Sequence, residues 1–69
     1  MKLSARNQFR GKIKKVKLGM VTAEVEIEIP GSNLITSVIT KESAEAMGLK
    51  EGMEATAIIK STEVLIALD

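Results

Sequence analysis

The chain has 69 residues, 45 % hydrophobic and 28 % charged, and its 10 Lys and Arg against 9 Asp and Glu leave a formal net charge of +1. Neither Cys nor His occurs, which excludes a disulfide framework, a thiolate or imidazole metal site, a cysteine nucleophile and a histidine base. One small domain over residues 1–69 is expected; a chain this short buries only about 60 % of its unfolded surface, and self-association is its remaining way to add core.

The basic residues gather early. Lys2, Arg6, Arg10, Lys12, Lys14, Lys15 and Lys17 all precede the first acid, Glu24. Such an N-terminal third attracts an anionic partner, or it is an edge strand guarded by lysines. No apolar run approaches the roughly 20 residues that cross a bilayer, and no signal-peptide core follows Met1, so a cytoplasmic location is the default.

Along the chain, Phe9 to Leu18 reads as a strand entered through Gly11. Its apolar phase slips between Ile13 and Val16, which predicts a bulge near Lys14 and Lys15. Gly19 turns the chain. Val21, Ala23, Val25, Ile27 and Ile29 then alternate with Thr22, Glu24, Glu26 and Glu28, the pattern of a strand with one wet face. Those three glutamates form a solvated face or a weak site for a hard cation. Pro30-Gly31-Ser32-Asn33 supplies turn chemistry, with Gly31 or Asn33 expected at positive φ. The β-branched run from Leu34 to Ile39 completes a hairpin. Thr40-Lys41-Glu42-Ser43 opens a short helix, which Gly48 closes. Glu51-Gly52 turns into a strand from Glu54 to Lys60. Val64 to Leu68 is apolar on both faces, which predicts a central strand or a subunit interface. The order is mainly β with one short α-helix, and a small OB-like barrel of five or six strands fits it.

Three places carry donors suited to an oxyanion. In an extended segment Ser4 and Arg6 share a face, a hydroxyl beside a guanidinium with five fixed donors; the plainer reading is a solvated arm. Thr40 and Ser43 bring hydroxyls to the positive end of the short helix; the plainer reading is that Thr40 caps the helix through the Ser43 amide. Lys60, Ser61 and Thr62 add a cation and two hydroxyls. No acid lies within Ser4–Arg6 or Lys60–Thr62; Glu42, beside the helix start, is the exception and is expected to point away. With no His to activate a hydroxyl, with Lys60 and Ser61 on opposite faces of a strand, and with glycines too scattered for a phosphate loop, an enzyme is not expected.

These residues resemble one family. The opening Met1-Lys2-Leu3-Ser4-Ala5-Arg6-Asn7-Gln8, Gly11-Lys12, Val21 to Val25, Ile35 to Thr40, Ser43-Ala44, Leu49 to Gly52 and Ala57 to Ser61 are together similar to the molbindins. These are the small molybdate-binding proteins, also called Mop, of the TOBE-domain class, and the likeness spans nearly the whole chain. It implies an OB-like barrel, strand-sharing dimers and three such dimers in a hexamer. It implies no catalysis and no cofactor, only molybdate or tungstate held at subunit interfaces, with Ser4, Arg6, Lys60 and Ser61 from one subunit and Thr40 and Ser43 from the other. The family's second kind of site, on the threefold axis, would fall near Met20 and Thr22. Without a fused partner domain, an intracellular store of molybdenum is the implied role. The competing reading is an OB-type nucleic-acid module using the basic third. Such modules stack bases on aromatic side chains, and Phe9 is the only aromatic here.

Overall fold

The computed structural model describes residues 1–69. Four antiparallel strands form one sheet in the order β3-β2-β1-β4: β1 (Asn7–Leu18), β2 (Thr22–Ile29), β3 (Asn33–Thr40) and β4 (Glu54–Ile59), with α1 (Lys41–Met47) between β3 and β4. A 3-10 turn at Ser61–Glu63 follows β4.

β1 organises the sheet because it serves two partners. Its first half pairs with β4, from Asn7 opposite Ile59 to Lys12 opposite Glu54. Its second half pairs with β2, from Lys12 opposite Glu28 to Leu18 opposite Ala23. Lys12 is where the two ladders overlap. The β1–β2 register shifts between Ile13 and Lys15, so the predicted bulge is present, and a bulge bends a strand from one partner toward the next. Gly11 is required at this crossing, since a Cβ there would stand 2.2 Å from the Glu28 carbonyl oxygen.

β1 is therefore an interior strand and not the guarded edge that its lysines suggested. Lys12, Lys15 and Lys17 lie opposite Glu28, Glu26 and Glu24. The basic run and the acidic strand face each other across one ladder, where opposite charges pair favourably. No three carboxylates come together to hold a cation.

Ile13, Val25, Ile27 and Ala57 form the buried core, with Val16, Ile29, Ile35, Ile39, Leu49 and Ala55 packed against it. Ala44 is the residue that α1 buries. Only 6 of 69 residues are buried, and Ile13 is the only large side chain fully enclosed.

Other expectations need correction. Val21 is exposed and precedes β2; its carbonyl accepts from the Lys41 amide at 2.8 Å, which ties the helix start to the strand. In the β2–β3 turn the positive φ angles fall on Gly31 (90°) and Ser32 (62°). Asn33 is already paired with Ile29 in the ladder, so the reversal must be made before it. β4 stops at Ile59, one residue before Lys60. The largest difference is at the C-terminus. Val64 to Leu68 forms no strand, and Leu65, Ile66 and Leu68 are 91 %, 85 % and 94 % exposed. The 3-10 turn leads this segment off β4, so the sheet has four strands where five or six were expected. No ladder joins β3 to β4. A cleft of about 200 Å³ lies between these two edges, lined by Ile27, Ile35, Ala57, Ile58 and Ile59 among others. No helix is long and apolar enough to cross a membrane.

Candidate functional site

The structure sorts the six candidate residues into two groups. Arg6 directly precedes Asn7, Lys60 directly follows Ile59, and Asn7 is paired with Ile59. Arg6 and Lys60 thus flank the first pair of the β1–β4 ladder, although 54 positions separate them in the chain, and Ser4 and Ser61 lie two and one positions beyond them. All four are exposed. The only ion pair in the molecule joins Arg10 to Glu54, so neither Arg6 nor Lys60 is matched by a carboxylate. The chain bends at Ser4 instead of running extended through it. Alternation of faces therefore does not set how Ser4 and Arg6 relate.

Two side chains that sequence reasoning passed over hold this end together. Asn7 Nδ2 donates to the Ile59 carbonyl at 3.2 Å, and Gln8 Nε2 donates to the Ala5 carbonyl at 2.6 Å. The signal available in the sequence was a pair of adjacent carboxamides directly after the arm. Each carries donors that an isolated strand would leave unused.

Thr40 and Ser43 form the second group, at the corner between β3 and α1. Thr40 has extended backbone, and its hydroxyl oxygen accepts from the Ser43 amide at 3.0 Å while donating to the Ser43 hydroxyl at 2.7 Å. The cap expected as the plainer reading is therefore present. Gly48, at φ 63°, closes the helix with its amide bonded to the Ala44 and Glu45 carbonyls. Thr22 lies opposite Thr40 in the β2–β3 ladder, and Met20 is almost wholly exposed in the preceding turn. Met20, Val21, Thr40, Lys41, Glu42 and Glu45 line an open depression of about 450 Å³. Glu42 was expected to turn away, yet it lines this depression with Glu45. The backbone explains why: both acids lie on the exposed side of a helix only 7 residues long.

The two groups are far apart within one chain. Arg6 adjoins the start of β1, whereas Thr40 is paired with Thr22 just beyond its other end. The strand between them has a contour of roughly 36 Å at about 3.3 Å per residue. No hydrogen bond or cavity joins them.

Elsewhere, the Arg10 guanidinium holds the Glu54 carboxyl below its ordinary value, first through its hydrogen bond and then through its charge, with Lys12 adding a smaller pull. This pair sits away from both groups, on the exposed face of the β1–β4 ladder.

Residues 3–66 match the TOBE domain family. The chain is 56 % identical over 66 residues to molybdenum-pterin-binding protein 1 of Clostridium pasteurianum, covering 96 % of this chain and 97 % of that protein. Among solved structures it is similar to MopII of the same organism in an apo form, with a TM-score of 0.92, 54 % identity, and 97 % and 100 % of the two chains covered. It is also similar to ModG, a cytoplasmic molybdate-binding protein solved with molybdate bound. There the TM-score is 0.84 and the identity 44 %, over 88 % of this chain and 43 % of ModG.

Proposed function

The chain belongs to the TOBE domain family, and on that footing we propose that it binds molybdate between subunits, with Ser4, Arg6, Lys60 and Ser61 of one facing Thr40 and Ser43 of another. The observation that carries this reading is the end of the β1–β4 pair. The residues beside its first pair, Arg6 and Lys60, are cations with no carboxylate paired to either, and Ser4 and Ser61 follow close in the chain. Charge-assisted bonds from a guanidinium and an ammonium suit a tetrahedral dianion, and flanking hydroxyls add donors without adding charge.

Neither group is sufficient alone. The Arg6–Lys60 end is open to water, where single charges are worth little. The Thr40 corner offers hydroxyls but carries Glu42 and Glu45, which repel an anion. Bringing the corner of one subunit against the cationic end of another encloses the ion, and Arg6, Lys60 and the corner's own Lys41 then outnumber the two acids. The chain's small core and exposed apolar surface favour the same association. Val64 to Leu68 is an unpaired apolar segment, and the cleft between β3 and β4 is an apolar gap bounded by two strand edges. Strand addition at such edges satisfies backbone groups and buries side chains together. In this reading one subunit's C-terminal segment completes another's barrel as an OB-like fold, dimers form by this exchange, and three dimers make a hexamer. A second oxyanion site near Met20 and Thr22 would adjoin the threefold axis.

The protein acts by binding, not catalysis, as a cytoplasmic reserve of molybdenum. Tungstate, of the same charge and shape, is accepted too. Nucleic acid is the weaker alternative because Lys12, Lys15 and Lys17 each face a glutamate, which reduces the field available to phosphate. Calorimetric titration with molybdate, tungstate, sulfate and single-stranded DNA tests the reading. Saturable binding of the first two is expected. Binding of DNA alone at about 0.15 M salt, where nonspecific phosphate contacts are weak, would overturn it.

A further inference from the structure

The Ser4–Arg6 arm is held in an unusual way. Of the backbone–backbone hydrogen bonds, those outside the strands and helix involve no residue before Ile13, and the β1–β4 ladder begins at Asn7. Residues 1–6 therefore make no backbone hydrogen bond to the sheet. Their only hydrogen bond is the local one from Gln8 to the Ala5 carbonyl. The arm leaves the sheet at the first pair of the β1–β4 ladder, Asn7 with Ile59, and the Asn7 side chain reinforces that pair by donating from Nδ2 to the Ile59 carbonyl. That bond is partly buried and spans 52 positions of sequence. It joins the residue after Arg6 to the residue before Lys60. On the other side of Ile59, the Lys60 carbonyl accepts from the Glu63 amide at 2.9 Å and the Ser61 carbonyl from the Val64 amide at 3.3 Å. Lys60 and Ser61 are thus fixed from behind by the 3-10 turn and from in front by Asn7.

We propose that Asn7 is a positioning residue of the oxyanion site: its carboxamide sets the spacing of Arg6 against Lys60, and Gln8 holds the curve of the arm that carries Ser4. This inference rests on the binding reading above. A carboxamide is the side chain that suits the task. Asp would place an oxygen against the Ile59 carbonyl, and Ser lacks the reach. Holding ligands in place beforehand matters because each flexible group otherwise loses conformational freedom when the ion arrives. Removing the pin should therefore weaken binding while leaving the core, centred on Ile13 and Val25, undisturbed.

The test is molybdate titration of Asn7→Ala and Gln8→Ala beside Arg6→Ala, with amide hydrogen exchange at residues 63 and 64. Asn7→Ala should lower affinity by about 3- to 10-fold, the worth of one ordinary hydrogen bond. Exchange should rise at Glu63 and Val64, whose amides bond the Lys60 and Ser61 carbonyls, and the melting temperature should change little. A second design repairs the pin covalently. Asn7 and Ile59 are direct cross-strand partners, and the chain has no other cysteine, so Asn7→Cys with Ile59→Cys can be compared oxidised and reduced in one protein. The oxidised form should bind molybdate more tightly than the reduced form. If Arg6→Ala loses affinity while Asn7→Ala keeps it, or if oxidation leaves affinity unchanged, Asn7 has no positioning role. If Arg6→Ala also binds as the unaltered protein does, the assignment of the site fails and this inference falls with it.

Discussion

At the β1/β4 end, Arg6 and Lys60 stand beside two hydroxyls with no acid paired to them; at the β3/α1 corner, Thr40 and Ser43 are bonded to each other beside Glu42 and Glu45. In sequence the two regions look alike, each a short polar stretch rich in hydroxyls next to a lysine. In the folded chain one has unused donors, while in the other the Thr40 hydroxyl and the Ser43 amide are committed to starting a helix and the Ser43 hydroxyl proton remains. A helix cap is a local need, met within 3 residues of sequence. The cationic end answers no structural need of the sheet, since removing Arg6 would leave no buried group unsatisfied. Surplus donors that the fold does not consume are the better guide to a ligand.

Denying each region its opposite number should have the largest effect. Leu65→Asp with Ile66→Asp places two charges on the exposed apolar segment. It should abolish both the proposed assembly of subunits and molybdate binding, seen together by sedimentation and calorimetry. A compact monomer that still binds the ion would show that one chain suffices. Next in size is Arg6→Ala. Loss of a charge-assisted hydrogen bond costs about 1.5–3 kcal/mol, or roughly 10- to 150-fold in affinity. Lys15→Ala should change affinity little, because Lys15 lies opposite Glu26 on the wet face. Equal losses would make general attraction, not a site, the cause.

Thr40→Asp separates capping from binding at the corner. Asp is as good a cap as Thr, so the melting temperature should hold, yet its charge should lower molybdate affinity by about tenfold or more. Thr40→Ala should lose both, with a stability cost of about 1 kcal/mol. The smallest effect concerns the Arg10–Glu54 pair. The Glu54 carboxyl is held low in the folded state, so below its unfolded pKa the unfolded chain binds the extra proton. Stability from the pair is full above the unfolded value and is lost as pH falls through the folded one. Arg10→Ala should flatten the acid limb of a stability–pH profile slightly, because both side chains are exposed.

Much of the local structure was legible in the residues. The alternation from Val21 to Ile29 marked β2 to within one residue, the slipped phase after Ile13 marked the bulge, and Thr40 and Gly48 marked the ends of α1, because each signal acts over a few positions of chain. The candidate side chains were legible too, as donor-rich stretches and through their family likeness. Pairing was not. The lysines of β1 read as the guard of an edge, since nothing in their own segment shows that β2 and β4 flank them. Val64 to Leu68 read as a strand, since its pattern records that it wants apolar company but not whose. Ser4–Arg6 and Lys60–Ser61 become neighbours only through the Asn7–Ile59 pairing, and Thr40 is carried to the far end of β1 by the same ladders. The residues alone indicated most of the segments that extend, turn or coil, Val64 to Leu68 excepted, and which donors are available. The tertiary structure decided which donors the fold consumes and which it leaves free, because that depends on contacts between residues more than 50 positions apart.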